Sequence, residues 1–271
     1  MKTIAHLSDL HFGTEDERIA EDLLKDLKRL SPSLVVVSGD LTQRARTGEF
    51  KAAANFLKRL PAPFLAVPGN HDVPLFDVVR RFAAPLARYR HWISEDLSPF
   101  YQDEEMAILG INTARSLTWK GGRISSDQID EIKQNMTALP SDYFKILVTH
   151  HPFIPPPGDL EGGIELVGRA TQALVVIDEC EIDLLLAGHL HNSYTGDIRT
   201  YYPATNRSVI VAQAGTAISR RIRTEPNAYN LIRLDHNHVE ISVRVRTATD
   251  GFKETVSTSY RRIEKEWLHS P

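Results

Sequence analysis

The chain has 271 residues, of which 42% are hydrophobic and 25% are charged, and this suits one large or two small globular domains. A formal net charge of -3 provides no bulk field for nucleic acid or an anionic membrane, so such a partner would need a local patch. The single cysteine, Cys180, excludes an internal disulfide framework and favours a reducing, cytoplasmic location. No apolar run approaches about 18 residues and no signal-peptide pattern is present, so we expect a soluble protein without a membrane span.

The first third of the chain alternates short apolar runs with amphipathic segments. Residues 3–8, 34–37 and 64–67 are apolar and partly β-branched, which is typical of buried strands. The intervening segments 15–30 and 49–60 read as helices, the first with apolar residues at helical spacing. The order β-α-β-α-β predicts a parallel sheet with right-handed crossovers.

The middle of the chain begins with residues 74–100, which are mostly helical in character and rich in arginine. We interpret this segment as a cap over a functional site. The pattern then predicts further buried strands and helices. The strands are at 106–111, 144–149 and 183–187, and the helices are at 125–139 and 169–180.

The last part of the chain changes character, because short strand-like runs follow one another without helices between them. These runs lie at 197–202, 208–212, 228–234 and 239–246, and they predict antiparallel pairing. Residues 260–271 form a charged tail, for which we expect a short helix or disorder. The whole pattern predicts a single domain over residues 1–271, of the α/β (α+β) class, with two packed mixed β-sheets flanked by helices.

Polar residues that can bind metals or carry protons follow the predicted buried strands. They are Asp9, His11, Asp40, Asn70, His71, Asp72, His150, His189 and His191. Strand ends are where α/β proteins keep their chemistry. The two-residue spacing of Asp9 and His11, shared by His189 and His191, would put each pair on one side of an extended segment.

The chemistry of this residue set favours transition metals. Carboxylate and imidazole together suit Mn, Fe, Co, Ni or Zn, whereas a shell of oxygens alone would suggest Ca or Mg. Seven of these nine residues are candidate ligands, which is too many for one ion. Two ions about 3.5–4 Å apart, sharing one carboxylate and a bridging water, would use them all and form a clamp for displacement at phosphorus.

The motifs, taken in order, resemble those of the calcineurin-like metallophosphoesterases. They are Asp9-x-His11, Gly39-Asp40, Gly69-Asn70-His71-Asp72, His150 and Gly188-His189-x-His191. The resemblance runs from residue 9 to residue 191 and implies an αββα sandwich. It also implies that Asp9, His11 and His191 hold one metal, that Asn70, His150 and His189 hold the other, and that Asp40 bridges them. The ions would be divalent or mixed-valence, with Mn, Fe, Zn, Co and Ni all open.

The expected mechanism is attack of a metal-bridging hydroxide on phosphorus. His71 follows a metal ligand without being one, and the resemblance implies that it faces the substrate, as does Asn70. His71 is thereby placed to donate a proton to the leaving alkoxide. Asp72 would either orient His71 or cap a helix that begins near Pro74.

Family members that dephosphorylate proteins carry a Gly-Asp-x-x-Asp-Arg-Gly motif, which the segment Gly39-Asp40-Leu41-Thr42-Gln43-Arg44-Ala45 lacks. The motifs look more like bacterial class III cyclic nucleotide phosphodiesterases and glycerophosphodiester-hydrolysing relatives. We therefore expect a phosphodiesterase for a small phosphodiester, with a 3',5'-cyclic nucleotide as the leading class. The alternatives are a DNA-repair-type nuclease, a nucleotide pyrophosphatase, a phosphomonoesterase and a non-catalytic metal-binding scaffold. The oligomeric state is open.

Three further features have two readings each. Arg115 follows a predicted strand and either clamps a phosphate or is a surface arginine. His151 is adjacent to a ligand, and we expect a supporting rather than a metal-binding role. The cluster of Arg220, Arg221 and Arg223 is interpreted as a solvated face or interface, with anion binding as the alternative.

Overall fold

The computed structural model describes residues 1–159, 163–221 and 225–270. Its helices are α1 (Glu17–Leu30), α2 (Thr47–Leu57), α3 (Val78–Ala83), α4 (Ala87–Trp92), α5 (Ser126–Thr137) and α6 (Ala170–Glu179). Its strands are β1 (Lys2–Leu7), β2 (Leu34–Ser38), β3 (Phe64–Val67), β4 (Phe100–Gln102), β5 (Met106–Gly110), β6 (Phe144–Val148), β7 (Leu184–Ala187), β8 (Tyr194–Asp197), β9 (Ile210–Gln213), β10 (Ala228–Asp235), β11 (His238–Thr247), β12 (Gly251–Ile263) and β13 (Glu266–Ser270). Among the described residues, no helix combines the length and the apolar character that crossing a membrane requires.

The strands form two mixed sheets, as the sequence predicts. One sheet has the order β13-β12-β11-β10-β1-β2-β3, and the other has the order β4-β5-β6-β7-β9-β8. Within the first sheet β1, β2 and β3 run parallel, and within the second β5, β6, β7 and β9 do. The predicted β-α-β-α-β start and the α/β class with two packed sheets are confirmed.

The two sheets enclose a buried apolar layer. Ile4, Val36 and Val67 contribute to it from the first sheet, and Ile146 and Leu186 contribute from the second. Because these strands are buried on both faces, they are continuously apolar instead of alternating. The helices cover the outer faces, where α1 buries Leu23 and Leu27 against the first sheet.

Helix α1 shows how local sequence defines an element. The Asp16 carboxylate accepts hydrogen bonds from the backbone N–H groups of Arg18 and Ile19, which satisfies donors that the first turn leaves open. Ser31 ends the helix in the left-handed conformation, with φ of 47°. The helix thus begins two residues later than the predicted start at residue 15.

The predicted strand at 197–202 is wrong. Strand β8 ends at Asp197, whose carboxylate accepts a hydrogen bond from Arg199 N at 2.8 Å and starts a 3-10 turn over Ile198–Thr200. An aspartate that bonds the backbone two residues on is a local competitor of the strand. The expectation of purely antiparallel pairing also fails here, because β9 pairs in parallel with β7.

The predicted helix or disorder at the C-terminal end is also wrong. Strands β12 and β13 form an antiparallel hairpin at the edge of the first sheet. Tyr260 and Trp267 are buried, and the Trp267 indole N–H donates to Asp183 Oδ1 at 3.0 Å. These two aromatic side chains anchor the strand pair, and Arg262, on the same face, forms an ion pair with the buried Asp183. Five of the six residues from Arg261 to Glu266 are charged, and this run obscures the strand pattern on either side of the turn.

Candidate active site

Loops that follow five strands meet at one edge of the two sheets. They carry Asp9 and His11 after β1, Asp40 after β2, Asn70 and His71 after β3, His150 after β6, and His189 and His191 after β7. Backbone hydrogen bonds hold the loops side by side, including His11 N to Asp40 O at 2.9 Å and Gly188 N to His150 O at 3.0 Å. The parallel strands therefore deliver the predicted residues to the same place.

Most of these side chains extend from a left-handed backbone. The φ values are 53° at Asp9, 46° at His11, 51° at Asp40, 77° at His189 and 63° at His191. Asp and His tolerate this region better than most residues, and its use concentrates at functional sites. The two-residue spacing predicts that Asp9 and His11, and likewise His189 and His191, share one side of an extended strand. The premise of an extended strand is wrong, because β1 ends at Leu7 and β7 ends at Ala187, before these residues.

One group of donor atoms surrounds the carboxylate of Asp9. Its Oδ1 lies 3.2 Å from His191 Nε2 and 3.5 Å from His11 Nε2, and these two nitrogens are 3.4 Å apart. Asp40 Oδ2 lies 3.7 Å from His11 Nε2. Three side chains and one oxygen of Asp40 therefore converge on one small volume.

A second group surrounds the side-chain oxygen of Asn70. This Oδ1 lies 3.2 Å from His150 Nε2 and 3.1 Å from His189 Nδ1. The other carboxylate oxygen of Asp40, Oδ1, lies 3.4 Å from His150 Nε2. Asp40 thus presents one oxygen to each group, and all seven predicted ligands are brought together.

The residues present fit divalent metal ions. Asp9 Oδ1 is buried without a hydrogen-bond partner, although it faces two imidazole nitrogens, and a cation would satisfy it. His150 Nδ1 donates to Ser38 O at 2.8 Å, and His191 Nδ1 lies 2.8 Å from Thr216 Oγ1. Occupying one ring nitrogen in this way directs the other toward a metal.

The electrostatics of the cluster also suit cations. Burial raises the pKa of the Asp40 carboxyl, but His150 and other imidazoles outweigh burial and hold that pKa well below its usual value. Burial likewise opposes ionisation of Asp9, and His191 and His11 keep its pKa low. Both carboxylates are therefore ionised at neutral pH and supply negative charge to the cluster.

Two glycines are required by the close approach of the loops. Gly39 has φ of 94°, and a Cβ there would lie 2.5 Å from His150 Nδ1. A Cβ on Gly188 would overlap Ser8 Oγ and lie 2.8 Å from Asp9 Oδ2. Any side chain at either position would displace a metal-site residue, which explains the glycine that precedes Asp40 and His189.

His71 lies beside the donor groups with its own set of contacts. Its Nδ1 lies 2.8 Å from Gln43 O, and its Nε2 accepts from Arg221 at 3.2 Å. Its backbone N–H donates to Asp40 Oδ1 at 2.8 Å. Burial lowers the pKa of His71, against the opposing effect of the Asp40 carboxylate, so the ring is neutral and Nε2 is an acceptor.

Asp72 does not contact the His71 ring and caps no helix near Pro74, so both expectations for its side chain fail. Its buried carboxylate accepts hydrogen bonds from Leu41 N at 3.1 Å, Thr42 N at 2.9 Å and Gly69 N at 2.9 Å. It therefore clamps the loops after β2 and β3 together. The ring of His71 is instead oriented by the carbonyl of Gln43.

Replacing Asp72 with alanine is expected to destabilise the fold by about 3 kcal/mol, because several buried N–H donors lose their acceptor. At this chain length the loss corresponds to a fall in Tm of roughly 6–12 °C. Thermal unfolding of metal-free protein, followed by circular dichroism, measures it. Asp77→Ala is the matched control, since Asp77 is an exposed cap of α3 that accepts from Arg80 N at 3.1 Å. Equal shifts for the two variants would contradict the clamp.

Arg115 is not brought to the cluster. Its guanidinium donates to the carbonyls of Asn112 and Ala114, each at 2.9 Å, and to Gln128 Oε1 at 2.5 Å. The side chain thereby ties the loop after β5 to the start of α5. In this position it does not line the cavity beside Asp40, so its expected phosphate contact gains no support from the structure.

Both ring nitrogens of His151 are engaged by other groups, although one of them lies within 4.8 Å of ligand atoms of His150 and His189. Nδ1 lies 2.7 Å from Thr113 Oγ1, and Nε2 lies 2.8 Å from Lys120 O. Its ring nevertheless packs 4.8 Å from that of His189, centroid to centroid. The contacts agree with the expected supporting role.

A cavity of about 280 Å³ opens over the donor groups. It is lined by Asp40, Asn70, His71, Lys120, Gly163, Ile164, Glu165, His189, Leu190, His191 and Arg221. The sequence pattern favoured a solvated face or an interface for Arg221, with anion binding as the alternative, and it did not indicate Lys120. Arg221 reaches His71 across 150 residues of sequence, and only the short arginine run hinted at it. Arg223 lies outside the described residues.

The two packed sheets carry a buried cluster of carboxylate, amide and imidazole groups at their strand ends, which is a donor set typical of a metal-binding enzyme site. A family model described as calcineurin-like phosphoesterase matches residues 2–193, and the chain belongs to this family. It is therefore a hydrolase of phosphoric esters, and the family implies divalent metal ions.

Relatives of the chain agree with the family at low identity. A protein named probable cyclic nucleotide phosphodiesterase from Synechococcus is 24% identical over 205 residues, which are 71% of this chain and 74% of the relative. One named probable glycerophosphodiester phosphodiesterase from Arcobacter nitrofigilis is 27% identical over 173 residues, 60% of this chain and 58% of that one.

Solved structures match the fold. A purple acid phosphatase from yellow lupin superposes with a TM-score of 0.73 at 13% identity, covering 97% of this chain and 54% of the lupin chain. A dimetal phosphatase from Danio rerio gives a TM-score of 0.66 at 14% identity, covering 95% of this chain and 98% of the other. These similarities support the two-sheet architecture and nothing finer.

Proposed function

We propose that the protein is a dinuclear metal-dependent phosphodiesterase that hydrolyses a small phosphodiester, with a 3',5'-cyclic nucleotide as the leading substrate class. The observation that carries the proposal is Asp40, whose two oxygens face two separate groups of donors beside a cavity that His71 lines. The relatives named probable cyclic nucleotide phosphodiesterase and probable glycerophosphodiester phosphodiesterase support the same class.

Two ions would be held by the two donor groups. One ion would be held by Asp9, His11 and His191, and the other would be held by Asn70, His150 and His189. Asp40 would contribute to both sites. When bound, such ions supply Lewis acidity at the phosphoryl group and make water available as a nucleophile near neutral pH. The chain's contribution is to fix these side chains, through left-handed loops and buried hydrogen bonds, before the substrate arrives.

His71 is proposed to hold a proton at Nε2 and to give it to the leaving oxygen. The carbonyl of Gln43 fixes Nδ1, so Nε2 is the nitrogen that faces Arg221. The negative charge of a bound phosphodiester next to Nε2 favours the protonated ring. Asn70, in the same cavity, lies beside the expected position of the phosphoryl group.

Arg221 is proposed to bind a non-bridging phosphoryl oxygen. Its guanidinium donates to His71 Nε2 and to Gln43 Oε1, each at 3.2 Å, so it is held over the cavity by neutral acceptors and can turn to an anion. Glu165 adds a negative charge to the same cavity. That charge disfavours a monoester, which carries a second negative charge, relative to a diester.

Arg221→Gln is expected to lower kcat/KM for bis(p-nitrophenyl) phosphate by about 10- to 100-fold, because a charge-assisted phosphate contact is worth roughly 1.5–3 kcal/mol. Steady-state kinetics of Mn-loaded protein measure this. Arg220→Gln is the matched control, since Arg220 is the exposed neighbour that pairs with Asp16 at 3.4 Å. An equal effect of both substitutions would contradict the assignment of Arg221.

The proposal is tested by a hydrolysis panel on metal-free protein reconstituted with Mn. The panel contains bis(p-nitrophenyl) phosphate, p-nitrophenyl phosphate, cyclic AMP and single-stranded DNA. The proposal requires that the diester is cut much faster than the monoester and that cyclic AMP turns over. Consumption of the monoester alone, or of DNA alone, would leave the family in place and replace the substrate class.

A further inference from the structure

A loop over residues 115–122 adjoins the cavity through Lys120, and a buried arginine holds the loop in place. Arg81, on α3, is 4% exposed and donates to Ser116 O at 2.7 Å and to Thr118 O at 2.5 Å. It also donates to Pro74 O at 2.9 Å. A buried guanidinium that is satisfied by carbonyls from two segments fixes the backbone of both.

The same loop contacts the metal-site residues directly. Asn70 donates through Nδ2 to Trp119 O at 3.3 Å, while its Oδ1 faces His150 and His189. The next residue, Lys120, lines the cavity, and its carbonyl lies 2.8 Å from His151 Nε2. The backbone of Trp119 is therefore hydrogen-bonded to Asn70, a member of the second donor group.

The indole of Trp119 is 66% exposed despite this fixed backbone. Its contact with the Arg81 guanidinium, 5.8 Å from the ring centroid, holds the ring without burying it. A scattered exposed apolar side chain needs no explanation, but this one lies on a braced loop next to the cavity. Trp119 thus presents an exposed indole directly beside Lys120 in sequence, and Lys120 lines the cavity.

We infer that Trp119 is a specificity-determining residue, whose indole stacks on the planar base of a nucleotide when its phosphodiester occupies the cavity. The inference rests on the proposed phosphodiesterase function and narrows its substrate to diesters that carry an aromatic base. Base–aromatic stacking tolerates any base, because each has a π-face. A diester without a planar group, such as glycerophosphoethanolamine, gains nothing from the indole.

Substrate selectivity tests the inference. Trp119→Ala is expected to lower kcat/KM for cyclic AMP by about tenfold or more and to change that for glycerophosphoethanolamine by less than about twofold. Trp119→Phe, which keeps an aromatic face, should restore most of the loss. Leu117→Ala is the control, because Leu117 is an 85% exposed side chain of the same loop. Equal losses on both diesters, or an unchanged value for cyclic AMP, would overturn the inference.

Tryptophan fluorescence provides a second test of the role of Trp119, and this test does not depend on turnover. Adenosine 5'-monophosphate should quench the tryptophan fluorescence of metal-free protein, whereas ribose 5-phosphate should not. The quenching should disappear in Trp119→Phe, since Trp267 is buried and Trp92 packs against His91 on α4. Quenching that persists in this variant, or is absent from the wild type, would overturn the role of Trp119. If the wild type hydrolyses neither diester, the phosphodiesterase proposal fails, and the quenching still decides base binding.

Discussion

Replacing Asp40 with asparagine is expected to reduce hydrolysis of bis(p-nitrophenyl) phosphate by roughly a thousandfold or more, about 4 kcal/mol in activation free energy. Asp40 presents one carboxylate oxygen to each donor group, with Oδ2 at 3.7 Å from His11 Nε2 and Oδ1 at 3.4 Å from His150 Nε2. Without its charge, neither group has enough negative charge to hold a divalent ion beside a second one. Steady-state turnover and metal content per chain, measured together, report the loss.

The asparagine variant is expected to preserve the fold, so that a loss of turnover can be assigned to the site. Its side-chain oxygen can still accept from His71 N, the 2.8 Å bond that Asp40 Oδ1 makes. Asp130→Asn, an exposed position on α5, is the control for charge removal. Circular dichroism should show both variants folded. A folded Asp40→Asn protein that retains wild-type turnover would contradict the bridging role of Asp40.

His71→Ala is expected to have the second-largest effect, and its size should depend on the leaving group. For cyclic AMP, whose leaving alkoxide needs a proton, kcat should fall by about 10²-fold or more. For bis(p-nitrophenyl) phosphate, whose leaving phenolate is stable without one, the fall should be about tenfold or less. The difference reports proton donation separately from substrate binding.

The control for His71 is His91→Ala, because His91 lies exposed on α4 and packs only against Trp92 among the described ring contacts. It should leave both substrates unaffected. Equal losses for the two substrates in His71→Ala would indicate that the ring binds the phosphoryl group without donating a proton, and the general-acid role would be withdrawn.

The candidate metal site was largely predictable because its residues follow strong strand signals. The apolar runs before Asp9, Asp40 and Asn70 form adjacent parallel strands, and parallel strands end at one edge. Strand placement, ligand residue types and motif order therefore agreed. Buried strands and capped helices are the elements that residue propensities predict best. These same elements carry the candidate ligands.

The remaining features depend on contacts that no local pattern encodes. The left-handed backbone at Asp9 and His189 arises from the packing of one loop on another, through bonds such as His189 N to Asp9 Oδ2 at 2.9 Å across 180 residues. The same holds for Arg221, which reaches His71 from a distant segment. Asp72 carried a local helix-cap signal, and the tertiary clamp to Leu41 overrode it.

The most direct test of a dinuclear centre is a metal titration of chelator-stripped protein. Mn is added in steps, and turnover of bis(p-nitrophenyl) phosphate is followed at each step. A dinuclear centre predicts no turnover without metal, a rise that saturates at two equivalents per chain, and loss of activity when chelator is added again. Turnover that survives chelation, or that saturates at one equivalent, would contradict a dinuclear centre built around Asp40.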